Sequence, residues 1–323
     1  VTIKEIAFRV DCGRTAGFGH LVRSFALAQK FVQLGYTISF FVPQSAVSGA
    51  QQLLPNHYTV FPTPETTEED DLTHLKNHTQ ANQWVVIDSY LLSANYYRQL
   101  HFANRKLFKI DDFAEHIDAV DVVLNSNFFA RDLNYQANTL SHCTLMLGPP
   151  YHPIRDAFWA QQQTTESIRP LLLMGGSDPT HATLATLNAL ALQPELLPQG
   201  IDVIIGPANQ DRLAIEHCCS ANGWFPHYNP KAIAELMAHS SIIITAAGST
   251  TFEALFFNKP MVLLVAADNQ RQNAHYLQQQ GLARLANSPA DVAKLLNQVT
   301  RSTHAMTVGA KLLPSLEQHF KLE

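Results

Sequence analysis

The chain has little of what would announce several common classes of protein. Its four cysteines, Cys12, Cys143, Cys218 and Cys219, include no CxxC pair, which excludes a disulfide ladder or a zinc ribbon as the organising framework. No apolar run approaches the roughly 18 residues of a membrane-spanning helix. The signatures GxSxG, HExxH and the Walker phosphate loop are missing. Positive charge is not in excess: 22 Lys and Arg against 27 Asp and Glu leave a net charge of −5. No general electrostatic pull toward nucleic acid or an anionic membrane is therefore expected. No basic region followed by an apolar core precedes the first strand pattern, so a cytoplasmic location is the default expectation.

What is present is ample core material, with 46% hydrophobic residues in 323. Single cores rarely grow past about 250–300 residues, so two domains are expected. Strand patterns occur at Ile6–Val10, Thr37–Val42, Trp84–Asp88, Leu107–Ile110 and Val120–Leu124, with helical spacing at Leu21–Leu34 and Ala94–Ala103. The acidic Thr63–Asp71 reads as a solvated loop before a helix near Leu72–Asn82. The alternation breaks between Leu147 and Arg169, at Gly148-Pro149-Pro150 and a Gln/Thr run, and restarts with strands at Pro170–Met174, Ile201–Ile205, Ser241–Thr245 and Met261–Val265. Buried strands separated by helices indicate parallel sheets covered on both faces. The expectation is an α/β protein of two Rossmann-like domains, residues 1–155 and 156–323, with a ligand cleft between them and the last helix packing back on the first domain.

Four stretches could carry chemistry. In Cys12-Gly13-Arg14-Thr15-Ala16-Gly17-Phe18-Gly19-His20 a strand passes through a glycine-rich turn into a helix. The spacing is not GxGxxG, and no acidic residue follows at the distance of a ribose-binding carboxylate, so a dinucleotide reading is weak. His20 sits at a helix start, where the dipole disfavours an imidazolium and suits a general base. A tight turn with no ligand explains the same pattern. In Ile242–Glu253 a buried strand leads to Gly248-Ser249-Thr250-Thr251, whose donors suit a diphosphate, and to Glu253, placed for a ribose diol. A Thr250–Glu253 capping box is the alternative. Leu171–Thr180 repeats the design around Gly175, Gly176 and Ser177. Val85–Tyr90 places polar groups, with Tyr90 among them, past the end of a strand. His74 and His78 stand four apart without a third ligand. Asp111-Asp112 reads most simply as an exposed turn.

Together these stretches resemble one family. Phe8-Arg9-Val10-Asp11, Gly17-Phe18-Gly19-His20 and Arg23 look like the start of the UDP-sugar hydrolases of pseudaminic acid biosynthesis (the PseG family). The likeness continues through Ile87-Asp88-Ser89-Tyr90, Ile110-Asp111-Asp112, Leu124-Asn125-Ser126-Asn127, Met174–Asp178, Ala247–Ala254 and Asn269-Gln270. It implies a glycosyltransferase-B-like fold and metal-independent hydrolysis of a UDP-linked 2,4-diacetamido-2,4,6-trideoxyhexose, with water attacking the anomeric carbon and inverting it. His20 is then the base and Tyr90 its helper. Substrate would be met by Asp11, Arg14, Gly17 and Gly19, and by Gly175, Gly176, Ser177, Gly248, Ser249, Thr250, Glu253, Asn269 and Gln270. No metal or cofactor is implied, and the only partners are the UDP-sugar and UDP. The GSTT turn also occurs in related glycosyltransferases. A transferase of the same architecture and a non-catalytic nucleotide-sugar-binding protein therefore stand as the alternatives.

Overall fold

The computed structural model describes residues 4–13, 17–136, 139–161, 169–299 and 306–320. Arg14 and most of the Gln/Thr run (162–168) lie outside the described residues. Two compact units emerge: Val1–Arg155 together with Gly309–Glu323, and Asp156–Val308.

The first unit is built on a parallel sheet of β1 (Glu5–Val10), β2 (Thr37–Pro43), β3 (Thr59–Thr63), β4 (Trp84–Asp88), β5 (Lys106–Ile110), β6 (Val122–Asn125) and β7 (Thr144–Leu147), in the order β3-β2-β1-β4-β5-β6-β7. Both faces are covered, which is why β1 is apolar nearly throughout. Ile6, Phe8 and Val10 join one core cluster, whereas Ala7 belongs to the cluster on the opposite face. The first cluster also takes Leu312, Leu316 and Phe320 from the helix Leu312–Phe320. These recur every four residues and so share one stripe of the helix. Phe320 lies with its ring centroid 4.9 Å from that of Phe31 and 4.6 Å from that of Trp84.

The second unit repeats the plan with β8 (Arg169–Leu173), β9 (Asp202–Ile205), β10 (Phe225–Tyr228), β11 (Ser240–Ala246), β12 (Met261–Leu264) and β13 (Arg284–Ala286), in the order β10-β9-β8-β11-β12-β13. In each sheet the strand order reverses beside the first strand, between β1 and β4 and again between β8 and β11. Such a reversal opens a crevice at the carboxyl ends of the strands, where ligands of this fold class bind.

Two local expectations need correction. The acidic stretch is not a loop up to Asp71: the helix Glu68–His78 starts there, with Thr67 as its N-cap accepting a hydrogen bond from the Asp70 N–H. Four carboxylates in its first turn complement the helix dipole, so the charge run favours the helix start. Strands β3, β7, β10 and β13 carry no clear signal in the sequence. They are short, they lie at or near the sheet margins, and β3 contains Pro62.

Candidate functional site

At the reversal point of the first sheet, Val10 of β1 lies beside Asp88 at the end of β4. The chain leaving β1 closes a small loop in which the Gly13 N–H donates to the Gly17 carbonyl at 3.0 Å. Both glycines have positive φ, +118° and +69°, which side-chain-bearing residues adopt at a cost. Phe18 then seats its ring against Gly49, where a Cβ would stand 2.4 Å from the ring. The helix Gly19–Gln33 begins immediately, with His20 in its first turn.

His20 and Arg23, three apart on this helix, face Asp88 together. His20 Nδ1 is 2.7 Å from Asp88 Oδ1, although its N–H points off the line of a straight hydrogen bond. Arg23 grips both oxygens of Asp88, through Nε at 2.7 Å and a terminal nitrogen at 2.6 Å, and Ser24 Oγ adds a contact of 3.1 Å. The other terminal nitrogen of Arg23 reaches Asp112 at 2.8 Å. Asp112 also accepts hydrogen bonds from the Tyr90 hydroxyl and, at 2.5 Å, from Asn127 Nδ2. The Tyr90 ring meets the His20 ring edge-on, with centroids 4.4 Å apart. One guanidinium thus joins two carboxylates, and each carboxylate contacts one of the two rings.

Burial alone would raise the pKa of Asp88, whose side chain is fully enclosed. The Arg23 charge and the His20 ring outweigh it and hold the carboxyl below the usual range. Asp112 is lowered in the same way: burial opposes ionisation, and Arg23 and the Tyr90 hydroxyl overcome it. Burial pushes the Tyr90 phenol upward, so Tyr90 is protonated at neutral pH, and its one proton goes to Asp112. Nearby His152, which contacts Ser126 Oγ through Nδ1 at 2.8 Å, is driven down to about 3 by burial and by the Arg23 charge. It is therefore neutral.

Asp111-Asp112 is a correction: this is not an exposed turn. Asp111 is buried, accepting from the Tyr135 hydroxyl at 2.6 Å and the Ala114 N–H at 2.7 Å, with Lys109 Nζ 3.1 Å away. Asp11 is also buried, its oxygens engaged by Arg9 at 2.9 Å and Ser89 Oγ at 2.5 Å. Arg9 continues to Asp71 at 2.9 Å, which accepts from the Tyr96 hydroxyl at 2.6 Å. Asp11 therefore braces the floor of the crevice. Gly19 meets nothing within 4 Å of a would-be Cβ and borders open space. His74 and His78 stack with centroids 4.2 Å apart. Among the described residues no three His, Cys, Asp or Glu side chains converge as a metal-ligating group.

The reversal point of the second sheet brings the other two stretches to adjacent strands, since β8 and β11 pair directly. After β11, Gly248 and Ser249 lead into the seven-residue helix Thr250–Phe256. The helix start is not that of the alternative Thr250–Glu253 capping box: Ser249 is the N-cap residue, and Thr251 Oγ1 donates back to the Gly248 carbonyl at 2.7 Å. Glu253 is buried in the first turn. Gln270 accepts from the Ala266 N–H at 3.0 Å and places its amide nitrogen 3.5 Å from the position of a Gly248 Cβ. The Gln270 side chain thus lies against the Gly248 turn, and Asn269 beside it in sequence is exposed. After β8, Gly175 takes φ +88° and Gly176 accepts from the Ala208 N–H at 3.0 Å. Asp178 receives the Ala182 and Thr183 N–H groups at 3.0 and 2.8 Å. The protein's own carboxylate thereby fills the anion position of that helix start.

Residues 171–309 match the model of the glycosyltransferase family 28 C-terminal domain. MurG of Acinetobacter baumannii superposes with a TM-score of 0.58 at 15% identity, over 98% of this chain and 95% of that one. The fold is of the glycosyltransferase-B type. An uncharacterised protein of Methanocaldococcus jannaschii is 25% identical over 83% of this chain, which spans 57% of that protein's length. The UDP-2,4-diacetamido-2,4,6-trideoxy-β-L-altropyranose hydrolase of Campylobacter jejuni is 23% identical over 86% of this chain and 97% of its own. No helix among the described residues is long and apolar enough to cross a membrane.

Sequence reasoning singled out His20 and Tyr90 but gave no role to Asp88, Arg23, Asp112 or Asn127. One signal pointed to two of them, Asp88 and Asp112. Strands β1, β4, β5 and β6 each end on, or run directly into, a polar side chain (Asp11, Asp88, Asp111-Asp112 and Asn125), and their residues are otherwise mostly buried.

Proposed function

We propose that this chain is a nucleotide-sugar hydrolase that splits the sugar–UDP bond by direct attack of water. The observation that supports it most is the His20–Asp88 pair at the reversal point of the first sheet. A carboxylate beside Nδ1 favours the tautomer with its proton on that nitrogen and leaves the Nε2 lone pair to act as base. In the reaction the water oxygen bonds to the anomeric carbon while its proton passes to Nε2. The bond from that carbon to the UDP oxygen breaks, its electron pair leaves with the diphosphate, and the configuration inverts. Tyr90, edge-on to His20 and with its proton given to Asp112, offers its hydroxyl oxygen as an acceptor near the sugar. In the C-terminal unit the N–H and hydroxyl groups of Gly248, Ser249 and Thr250 take the diphosphate and stabilise its charge without a metal. Glu253 takes the ribose diol, and Asn269 and Gln270 complete that side. The likeness to the Campylobacter jejuni hydrolase supports a 2,4-diacetamido-2,4,6-trideoxyhexose as the sugar.

A second reading, transfer of the sugar to an acceptor hydroxyl, draws on the match to the glycosyltransferase family 28 domain. The same His20 would then deprotonate the acceptor. His20→Ala separates a catalytic site from a binding module: turnover should vanish while UDP affinity stays within a few-fold. Unchanged turnover would remove His20 from the chemistry. UDP release that occurs only with an added acceptor would favour transfer.

A further inference from the structure

The hydrolase reading uses His20 and Tyr90. Each is held by a carboxylate, Asp88 for His20 and Asp112 for Tyr90, and these carboxylates sit at the ends of different strands. Both are tied to the same side chain. Arg23 spends Nε and one terminal nitrogen on the two oxygens of Asp88 and its other terminal nitrogen on Asp112. The Arg23 side chain is 14% exposed, Asp112 12% and Asp88 0%. In so enclosed a site the donors and acceptors must satisfy one another. Asn127 closes the far side of Asp112. The planar, five-donor guanidinium fits this double grip, and an ammonium does not.

We propose that Arg23, acting with Asp112, is a positioning residue that fixes His20 and Tyr90 relative to one another, so that base and phenol move as one unit. Arg23 needs no contact with substrate for this. Its three directed N–H bonds transmit the position of the Tyr90 hydroxyl to the carboxylate that orients the imidazole. Conversion of Arg23 to Lys keeps the charge but cannot maintain both carboxylate contacts in one plane. Asp112→Asn keeps the shape but weakens the contacts to Arg23 and to Tyr90.

The inference rests on the hydrolase reading for its kinetic consequence but not for its structural one, and the test has an arm for each. In full-length protein with labelled His and Tyr, the 4.4 Å ring separation should give cross-relaxation between the His20 and Tyr90 rings. Arg23→Lys and Asp112→Asn should each lose that signal while melting as one cooperative unit. In turnover of the UDP-linked diacetamido sugar, each should lower kcat by about 10- to 100-fold, as expected of a sub-ångström to ångström misplacement, with KM within about threefold. The double variant should be no slower than the slower single one, because both break one device. Retention of the ring signal in a folded Arg23→Lys protein would overturn the proposal, as would additive losses in the double variant. If the wild-type protein turns over no UDP-sugar, the hydrolase reading fails and the ring signal alone decides the positioning claim. If Arg23→Lys does not fold, Asp112→Asn carries the same test.

Discussion

His20 and Asp88 meet at 2.7 Å although they come from different elements, one from the first turn of a helix and the other from the end of the neighbouring strand. Parallel pairing of β1 with β4 sets this distance, because it brings Val10 level with Asp88 and so aligns the two strand ends. The carboxylate is wholly enclosed, so its charge is felt by His20 and Arg23 with little screening by water.

Replacing Asp88 by Asn therefore tests the pair. The amide retains the shape but offers His20 Nδ1 no anion, and its NH2 group can turn toward the ring and reverse the tautomer. A fall in kcat of about 10²- to 10⁴-fold is expected, in the range of losing an oriented general base. Arg23 is left partly unpaired as well, so a stability loss of about 3 kcal/mol should accompany it. Steady-state kinetics and urea unfolding measure the two effects separately. Full activity in the variant would mean that His20 needs no orienting carboxylate.

Acid should loosen the same network. Burial works against ionisation of Asp88 and Asp112, but Arg23 overrides it, so both hold their protons less readily when folded than when unfolded. Their contribution to stability is complete above the ordinary Asp pKa of about 3.9 and is lost as pH falls through the lower folded value. Urea unfolding followed downward from pH 5 should show falling stability, and Asp112→Asn should show a shallower fall. Parallel curves would mean that Asp112 contributes no depressed titration.

Two glycines should respond in opposite ways. A Cβ at Gly206 would stand 2.3 Å from the Gly176 carbonyl oxygen and 2.6 Å from that of Gly175. Gly206→Ala must therefore displace the turn after β8, at a cost of about 1–3 kcal/mol. At Gly19 a Cβ meets nothing within 4 Å, so Gly19→Ala should fold with stability within about 1 kcal/mol of wild type. If substrate approaches the backbone there, turnover should fall in that well-folded variant. Calorimetry and turnover together decide, and an unaffected rate would remove Gly19 from the binding surface.

Glu253 lies buried in the first turn of its helix, beside the Gly248 turn that Gln270 packs against. Glu253→Ala should weaken UDP binding by about 10-fold or more, the order expected when a ligand's diol loses a charged acceptor. Titration calorimetry with UDP measures this. Unchanged affinity would sink the ribose assignment.

Much of the fold was legible because most residues of the buried parallel strands are apolar. Strand β4 falls at Trp84–Asp88, where its apolar run places it. The edge strands were not legible: three- to five-residue segments such as Thr59–Thr63, which carries a proline, lack a continuous apolar run. At the site, His20 stood out because glycines surround it in sequence. Asp88 and Asp112 did not, because their meaning comes from the register that brings strand ends together and from an arginine 65 and 89 residues away in the chain. The capping motif at Thr250–Glu253 had the right letters, yet the helix starts one residue earlier than that motif requires, with Ser249 as its cap residue.

The most direct test of the account follows a UDP-linked 2,4-diacetamido-2,4,6-trideoxyhexose by proton NMR with purified protein and no added acceptor. The account predicts release of UDP together with first appearance of the single sugar anomer of inverted configuration, and no release with His20→Ala. Retained configuration in the first-formed sugar, or equal release by the His20→Ala protein, would contradict direct attack by a water that His20 activates.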